Sequence, residues 1–169
     1  MSPSQNMPRI RFHLTTVYLF IRSDIKTILC PVTLFAVASN PSTQPMRLVS
    51  CFFWVFMHLL LIDIDNQSMA VEEDRINKPW RPLPSRRISL ARASLIASLL
   101  YPACALFSWA LGGEVLGLTS VVFGVLAYLY DHLELNSLWY MKIVINSLGY
   151  ATLETGASLV IGMGHSIHV

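Results

Sequence analysis

The chain is predicted to fold as an all-α, polytopic bundle of about five membrane-spanning helices, on three observations. The first is composition: 54% of the 169 residues are hydrophobic, only 13% are charged, and mean hydropathy is +0.53, too apolar for an ordinary soluble domain. The second is a succession of apolar runs, several approaching the roughly 20 residues that a bilayer requires of a helix, separated by short Pro-, Gly- or charge-bearing stretches. The third is the placement of the cations. With five spans and a cytosolic amino terminus, Arg9, Arg11, Arg22 and Lys26, then Arg75 through Arg92, then Lys142 share the cytosolic side, so that of twelve basic residues only Arg47 lies opposite. In hydrocarbon the backbone must satisfy its own hydrogen bonds, and runs of this length do so as helices.

Met1 to Pro8 is polar and carries two prolines, and residues 1–12 are expected to be a disordered tail. Arg9 to Arg22 mixes Arg9, Arg11 and His13 with Leu14, Val17, Tyr18, Phe20 and Ile21, the composition of a helix lying flat at the interface. Arg22, Asp24 and Lys26 interrupt this run too early for a cleaved signal sequence. Ile25 to Ser39 is the first spanning segment, short of a full crossing and open to a kink at Pro31. Asn40 to Pro45 reads as a turn, and Met46 to Ile64 as the second span, with His58 as a lone polar group suited to a helix-to-helix hydrogen bond. Ser89 to Leu111 is the third span, Gly112-Gly113-Glu114 a tight turn, Val115 to Tyr130 the fourth span, and Leu138 to Gly164 the fifth. Gly149, Ala151, Gly156, Ala157 and Ser158 allow that last helix close packing. Cys30, Cys51 and Cys104 are odd in number and sit in apolar runs, as buried free thiols do. The net charge of +2 is small and the basic residues have a use in topology, so nucleic acid is not an expected partner.

The stretch Asp63–Arg87, DIDNQSMAVEEDRINKPWRPLPSRR, holds five of the ten acidic residues and five of the twelve basic ones. On a helical wheel Asp63, Asn66, Glu73, Asp74 and Asn77 fall on one face, with Asp65 and Glu72 opposite. Oxygen ligands on one face suit Mg²⁺, which commonly joins one or two carboxylates to a substrate's phosphates. Lys78, Arg81, Arg86 and Arg87 follow, cations of the kind that hold phosphate oxygens. Pro79, Pro82 and Pro84 make that segment a rigid, extended loop, with Trp80 as an interfacial anchor. The alternative is a charged connection made basic for topology alone.

Residue order separates the two. Asn66-x-x-x-Ala70-x-x-x-Asp74, followed by Asn77-Lys78-Pro79-x-Arg81-Pro82-x-Pro84, resembles the first aspartate-rich motif of the UbiA family of membrane prenyltransferases, N-x-x-x-D-x-x-x-D then N-x-x-x-R-P-x-P. The variant with NQ, EED and NKPWRPLPS resembles a fungal branch that includes UbiA-type terpene cyclases. The resemblance implies the first half of the UbiA architecture and a Mg²⁺-dependent enzyme that ionises a prenyl diphosphate, for transfer to a small-molecule acceptor or for cyclisation in secondary metabolism. It implies Asn66 and Asp74 as catalytic residues, Asn66, Glu73 and Asp74 on the metal, and Lys78, Arg81, Lys142 and Lys26 on the diphosphate. It also implies an address in the endoplasmic reticulum. Ala70 stands where the family has its middle aspartate, and Glu73 is the neighbouring carboxylate that would compensate.

SDIKTILCPVTLF resembles the start of the family's first helix, which makes Lys26 a diphosphate contact; a lysine snorkelling to the interface is the other reading. Tyr130, Asp131, Glu134, Tyr140, Lys142 and Asn146 cluster around the start of the fifth span. Tyr140 and Lys142 resemble a family tyrosine-plus-lysine pattern that binds diphosphate, with different spacing; Lys142 paired with Glu134 or Asp131 is the alternative. Glu154 is placed deeper, as a hydrogen-bonded acid or a cavity lining. No second D-x-x-x-D follows Lys142, where the family carries one, so a shortened, non-catalytic paralogue that binds prenyl diphosphate or a partner is the competing expectation.

Overall fold

Pro8 stands at the N-cap of the first helix, where the N–H it lacks would have had no intrahelical partner. The computed structural model describes residues 8–41, 43–133 and 135–163; the polar tail before Pro8 lies outside them, as does Glu134. Helix α1 (Arg9–Ile21) buries Thr16, Phe20 and Ile21 on one face and exposes Ile10, Leu14 and Tyr18 on the other. Arg9 to Phe12, expected within the tail, form its first turn.

Helix α2 (Ile25–Ser39) opens with one π turn, Ile25–Leu29, closed by the Cys30 N–H on the Ile25 carbonyl, and continues as α-helix from Cys30. Pro31 therefore falls in the first α turn, where its missing donor does no harm. Helix α3 (Pro45–Met69) begins on Pro45 and ends at Ala70, whose φ of −106° and ψ of 27° leave the helical region. Helix α4 (Val71–Asn77) starts afresh with Glu72, Glu73 and Asp74 in its first turn, where acids complement the helix dipole. The basic segment that follows is a compact series of turns rather than the extended loop expected: the N–H of Arg81 bonds Lys78, that of Ser85 bonds Arg81, and that of Arg87 bonds Pro82. Proline presets the φ that such turns require, which explains the difference. Arg87 docks the loop on α1, its Nε on the Thr16 hydroxyl at 3.2 Å and its guanidinium 4.4 Å from the Phe12 ring.

Helix α5 (Leu90–Asp131) reverses direction at Gly113, where φ is 72° and ψ is −159°, a backbone state that glycine adopts at little cost. Its arms, residues 90–112 and 114–131, pack antiparallel. A Cβ on Gly117 would lie 3.3 Å from Trp109, and one on Gly124 would lie 3.2 Å from Tyr101. The turn predicted at Gly112-Gly113-Glu114 is thus where the chain folds back. Helix α6 (Trp139–Gly162) completes the bundle after a single 3₁₀ turn at Leu135–Ser137. Among the described residues α3 and α5 are long and apolar enough to cross a bilayer, and α5 exposes Leu95, Leu99, Leu106, Val121 and Val125 as a lipid-facing surface would.

Helix α3 is the shared core element, and it is hydrogen-bonded to both arms of α5. Trp54 Nε1–H donates to Ser108 Oγ at 2.8 Å on the first arm. His58 Nδ1–H donates to the Trp54 carbonyl at 2.8 Å, which leaves Nε2 to accept from Ser120 Oγ at 2.7 Å on the second. This is the helix-to-helix role expected of a lone membrane histidine. From the other side α6 brings Gly156 against the Trp54 ring, so close that a Cβ there would lie 2.1 Å from it. Gly156→Leu is expected to destabilise the fold by about 1–3 kcal/mol through overpacking, whereas Gly149→Ala, with open space around it, leaves stability unchanged; thermal denaturation in detergent measures both.

Candidate functional site

Alternating helix directions bring the start of α2, the ends of α3 and α5, and the start of α6 to one end of the bundle, where they enclose a cavity of about 200 Å³. The cavity is polar on one side and apolar on the other. Asp24, Asp63, Asn66, Arg81, Asp131 and Asn146 line the first part, and Ile28, Ile62, Phe123, Leu126, Ala127 and Leu153 the second, with Tyr130 and Tyr150 also on its wall.

Two residues that line this cavity each hold a deeply buried atom with no hydrogen-bond partner. Asp63, 7% exposed, leaves Oδ2 unpaired, and Arg81, 6% exposed, leaves Nε–H unpaired. An orphaned acceptor and an orphaned donor on one cavity each carry a desolvation cost that a ligand would relieve. Asp24 reaches the Asp63 carboxyl from α2, and Thr27 Oγ1 donates to Asp24 Oδ1 at 3.1 Å. Asn66 Nδ2 donates to Asp131 Oδ1 at 2.8 Å, joining α3 to the end of α5.

The residues singled out in the sequence separate in space. Asn66 and Arg81 line the cavity together. Asp74 is buried, but Arg81 Nη1 donates to both of its oxygens, at 2.9 and 2.7 Å. Glu73 is exposed and faces a second hollow, bordered also by Asn66, Ala70, Glu72 and Asp131. Lys78 is half-buried, while Lys26 and Lys142 are exposed and do not line the cavity, although Asn146, one turn after Lys142, does. The one-faced wheel assumed a continuous helix over 63–77. The break at Ala70 ends that assumption, leaving Asn77 and Glu73 outside while Asp65, assigned to the opposite face, is buried against Tyr101 and His132. Trp80 is partly exposed beneath the Arg22 guanidinium, 5.9 Å from its ring centroid.

Residues 28–168 match the model of the UbiA prenyltransferase family. The chain belongs to that family. It is 28% identical over 157 residues to fumagillin beta-trans-bergamotene synthase of Aspergillus fumigatus, covering 92% of this chain and 53% of that protein. It is 38% identical over 103 residues to somaliensene A/B synthase of Streptomyces somaliensis, covering 56% of this chain and 34% of that one. A solved structure described as concerning digeranylgeranylglyceryl phosphate synthase in membranes superposes with a TM-score of 0.72 at 22% identity, over 87% of this chain and 53% of that chain, a likeness of fold. The chain thus spans about half the length of the longest-matching of these relatives.

For a UbiA-family chain Mg²⁺ is the implied cofactor, and the donor set tests the fit. Glu73 and Asp74 offer little to the cavity, one exposed and the other engaged by a guanidinium. Asp24, Asp63 and Asn66 line it with two carboxylates and an amide, the kind of oxygen set that Mg²⁺ takes together with phosphate or water oxygens, although among the described residues no three acidic, histidine or cysteine side chains converge on one point. Asp24 and Asp131 were not placed at this cavity from the sequence, because each is isolated from the Asn66–Asp74 motif and reaches it only through folding; the polar cluster around Asp131 was the available signal.

The Asp74–Arg81 pair is structural as well as local to the site. Asp74→Ala alone is expected to cost about 3–5 kcal/mol, because it leaves a buried guanidinium uncompensated, and Asp74→Ala with Arg81→Met to recover part of that loss; denaturation midpoints of the four proteins of this cycle measure it.

Proposed function

We propose that the chain binds an isoprenoid diphosphate in the cavity between α2, α3, α5 and α6, diphosphate at the polar end and prenyl chain along the apolar wall, and ionises it. The observation that carries this reading is the pair of unpartnered atoms, Arg81 Nε–H and Asp63 Oδ2, at the polar end of a hollow whose other wall is apolar. Arg81 Nε–H donates to a diphosphate oxygen while Asp74 holds the rest of its guanidinium rigid, so little side-chain entropy is lost on binding. Lys78, three residues before Arg81 and close enough to Asp63 to act on its charge, adds a second cation, and the exposed Lys26, two residues after Asp24, and Lys142, one turn before Asn146, supply field rather than contact. Asn66, held by Asp131, turns its remaining oxygen to the cation side. Bound Mg²⁺ would neutralise the charge that develops on the departing diphosphate.

Heterolysis of the C1–O bond leaves the electron pair on diphosphate and an allylic cation in the apolar part. Phe123, Tyr130 and Tyr150 surround that position with π faces that favour a cation over water. The cation then alkylates an acceptor, as in prenyl transfer, or an alkene of its own chain, as in cyclisation.

A second reading keeps binding and omits ionisation, and the engagement of Asp74 by Arg81 favours it, since the motif's last carboxylate is then withheld from a metal. The topology we propose has five passes, α2, α3, the two arms of α5 and α6, in the endoplasmic reticulum membrane, with the cavity and the amino terminus cytosolic.

Membranes holding the full chain are expected to release diphosphate from farnesyl or geranylgeranyl diphosphate with Mg²⁺; binding without release at any chain length selects the second reading. Ala127→Trp, which fills the apolar wall, is expected to weaken prenyl diphosphate binding at least tenfold and leave inorganic diphosphate binding within twofold, measured by competition in detergent.

A further inference from the structure

The motif at Asn66–Asp74 lacks a carboxylate at Ala70 and has its last one bound to Arg81, yet the cavity keeps a carboxylate pair that lies partly outside the motif. Asp24 is delivered by the turn between α1 and α2. Its carbonyl accepts from the N–H groups of Ile28 and Leu29, at 2.8 and 3.1 Å, and its carboxylate from Thr27 Oγ1. The π turn that follows at once is a form found often at functional sites. Asp63, on α3, is within hydrogen-bonding reach of Asp24 and buried. Two carboxylates in contact cannot both stay ionised away from water unless a cation or a shared proton lies between them. Arg81 does not close this gap, for its Nη1 is spent on Asp74 and its Nε–H has no acceptor, so two residues lining one cavity are left with an unpaired donor and an unpaired carboxylate oxygen.

That combination is complementary to a metal–oxyanion pair, cation on the carboxylates and anion on the guanidinium. We infer that Asp24 and Asp63 together hold a divalent cation at the α2 side of the cavity, with Asn66, one turn beyond Asp63, as a neutral third oxygen donor. The site draws its ligands from α2 and α3, and so offsets the ligand that Ala70 removes without calling on Glu73. A small divalent cation with two carboxylates, one amide oxygen and water or phosphate oxygens completing its shell meets the preference of Mg²⁺. This inference rests on the proposed function for the anion, but cation binding by the two carboxylates does not require it.

Mn²⁺ serves as the probe, read by its paramagnetic resonance in the purified full chain in detergent without substrate. Wild type is expected to bind it, Asp24→Asn and Asp63→Asn each to weaken binding at least tenfold, and Glu114→Gln, an exposed acid at the far tip of the α5 hairpin, to bind as wild type does. Absence of bound Mn²⁺ in wild type would overturn the inference in favour of a shared proton, and full binding in both Asp variants would overturn it in favour of other ligands. Asp24 is half-buried at a helix start, so its variant still reports if Asp63→Asn fails to fold, as checked by circular dichroism. Farnesyl diphosphate binding in EDTA separates the two proposals: retained there while Mn²⁺ binding is absent, it sinks the cation site and spares the function; Mn²⁺ bound with no farnesyl diphosphate affinity under any condition does the reverse.

Discussion

Burial of the Arg81–Asp74 pair is the constraint on which the site depends. A guanidinium and a carboxylate, each almost wholly removed from water, demand one another, and satisfying that demand fixes the turn of the Pro-rich segment against α4. Only one of the guanidinium's nitrogens is used on Asp74. Its Nε–H is left without a partner on a residue that lines the cavity, and a lysine at this position could not keep the same fork on Asp74. The sequence element NKPWRPLP therefore works as a unit, in which prolines set the turns, Leu83 is buried beneath them, and the arginine is the keystone.

Much of the fold was legible because its signals are local. Apolar run length, the prolines at helix starts and the Gly112-Gly113 pair each act over a few residues, and each element built from them lies within a few positions of its predicted place. The polar end of the cavity was legible only in part. A wheel drawn through Ala70 assumes that backbone direction continues, and nothing in the side chains on either side announces that α3 stops at Met69. Once it stops, Glu73 and Asp74 belong to another axis. Asp24 was illegible for a different reason, and the cluster around Asp131 told only part of the story: the two converge from the ends of separate helices, and such convergence is a property of packing that no window along the chain contains.

The middle of the bundle shows how polar groups are kept in an apolar interior. Trp54, His58, Ser108 and Ser120 form a closed set of bonds in which each donor has an acceptor, so the neutral imidazole carries no desolvated charge. Asp65 does the same work nearer the end, receiving the Tyr101 hydroxyl and the His132 ring, while its neighbour Asn66 donates to Asp131. Successive residues of α3 thereby grip successive residues at the end of α5. The position of Asn66 at the cavity is set by this double rung more than by the motif in which it is written.

The π turn at Ile25–Leu29 carries a geometric consequence for the amino-terminal part of the molecule. Such a turn contains one residue beyond an ordinary helical winding, so a return to regular α geometry would swing everything ahead of it by about 100° around the α2 axis. Asp24 and the whole amphipathic α1 lie ahead of it. The seating of α1 on the bundle and the aim of the Asp24 carboxylate are therefore a single degree of freedom, and whatever rewinds that coil repositions both together.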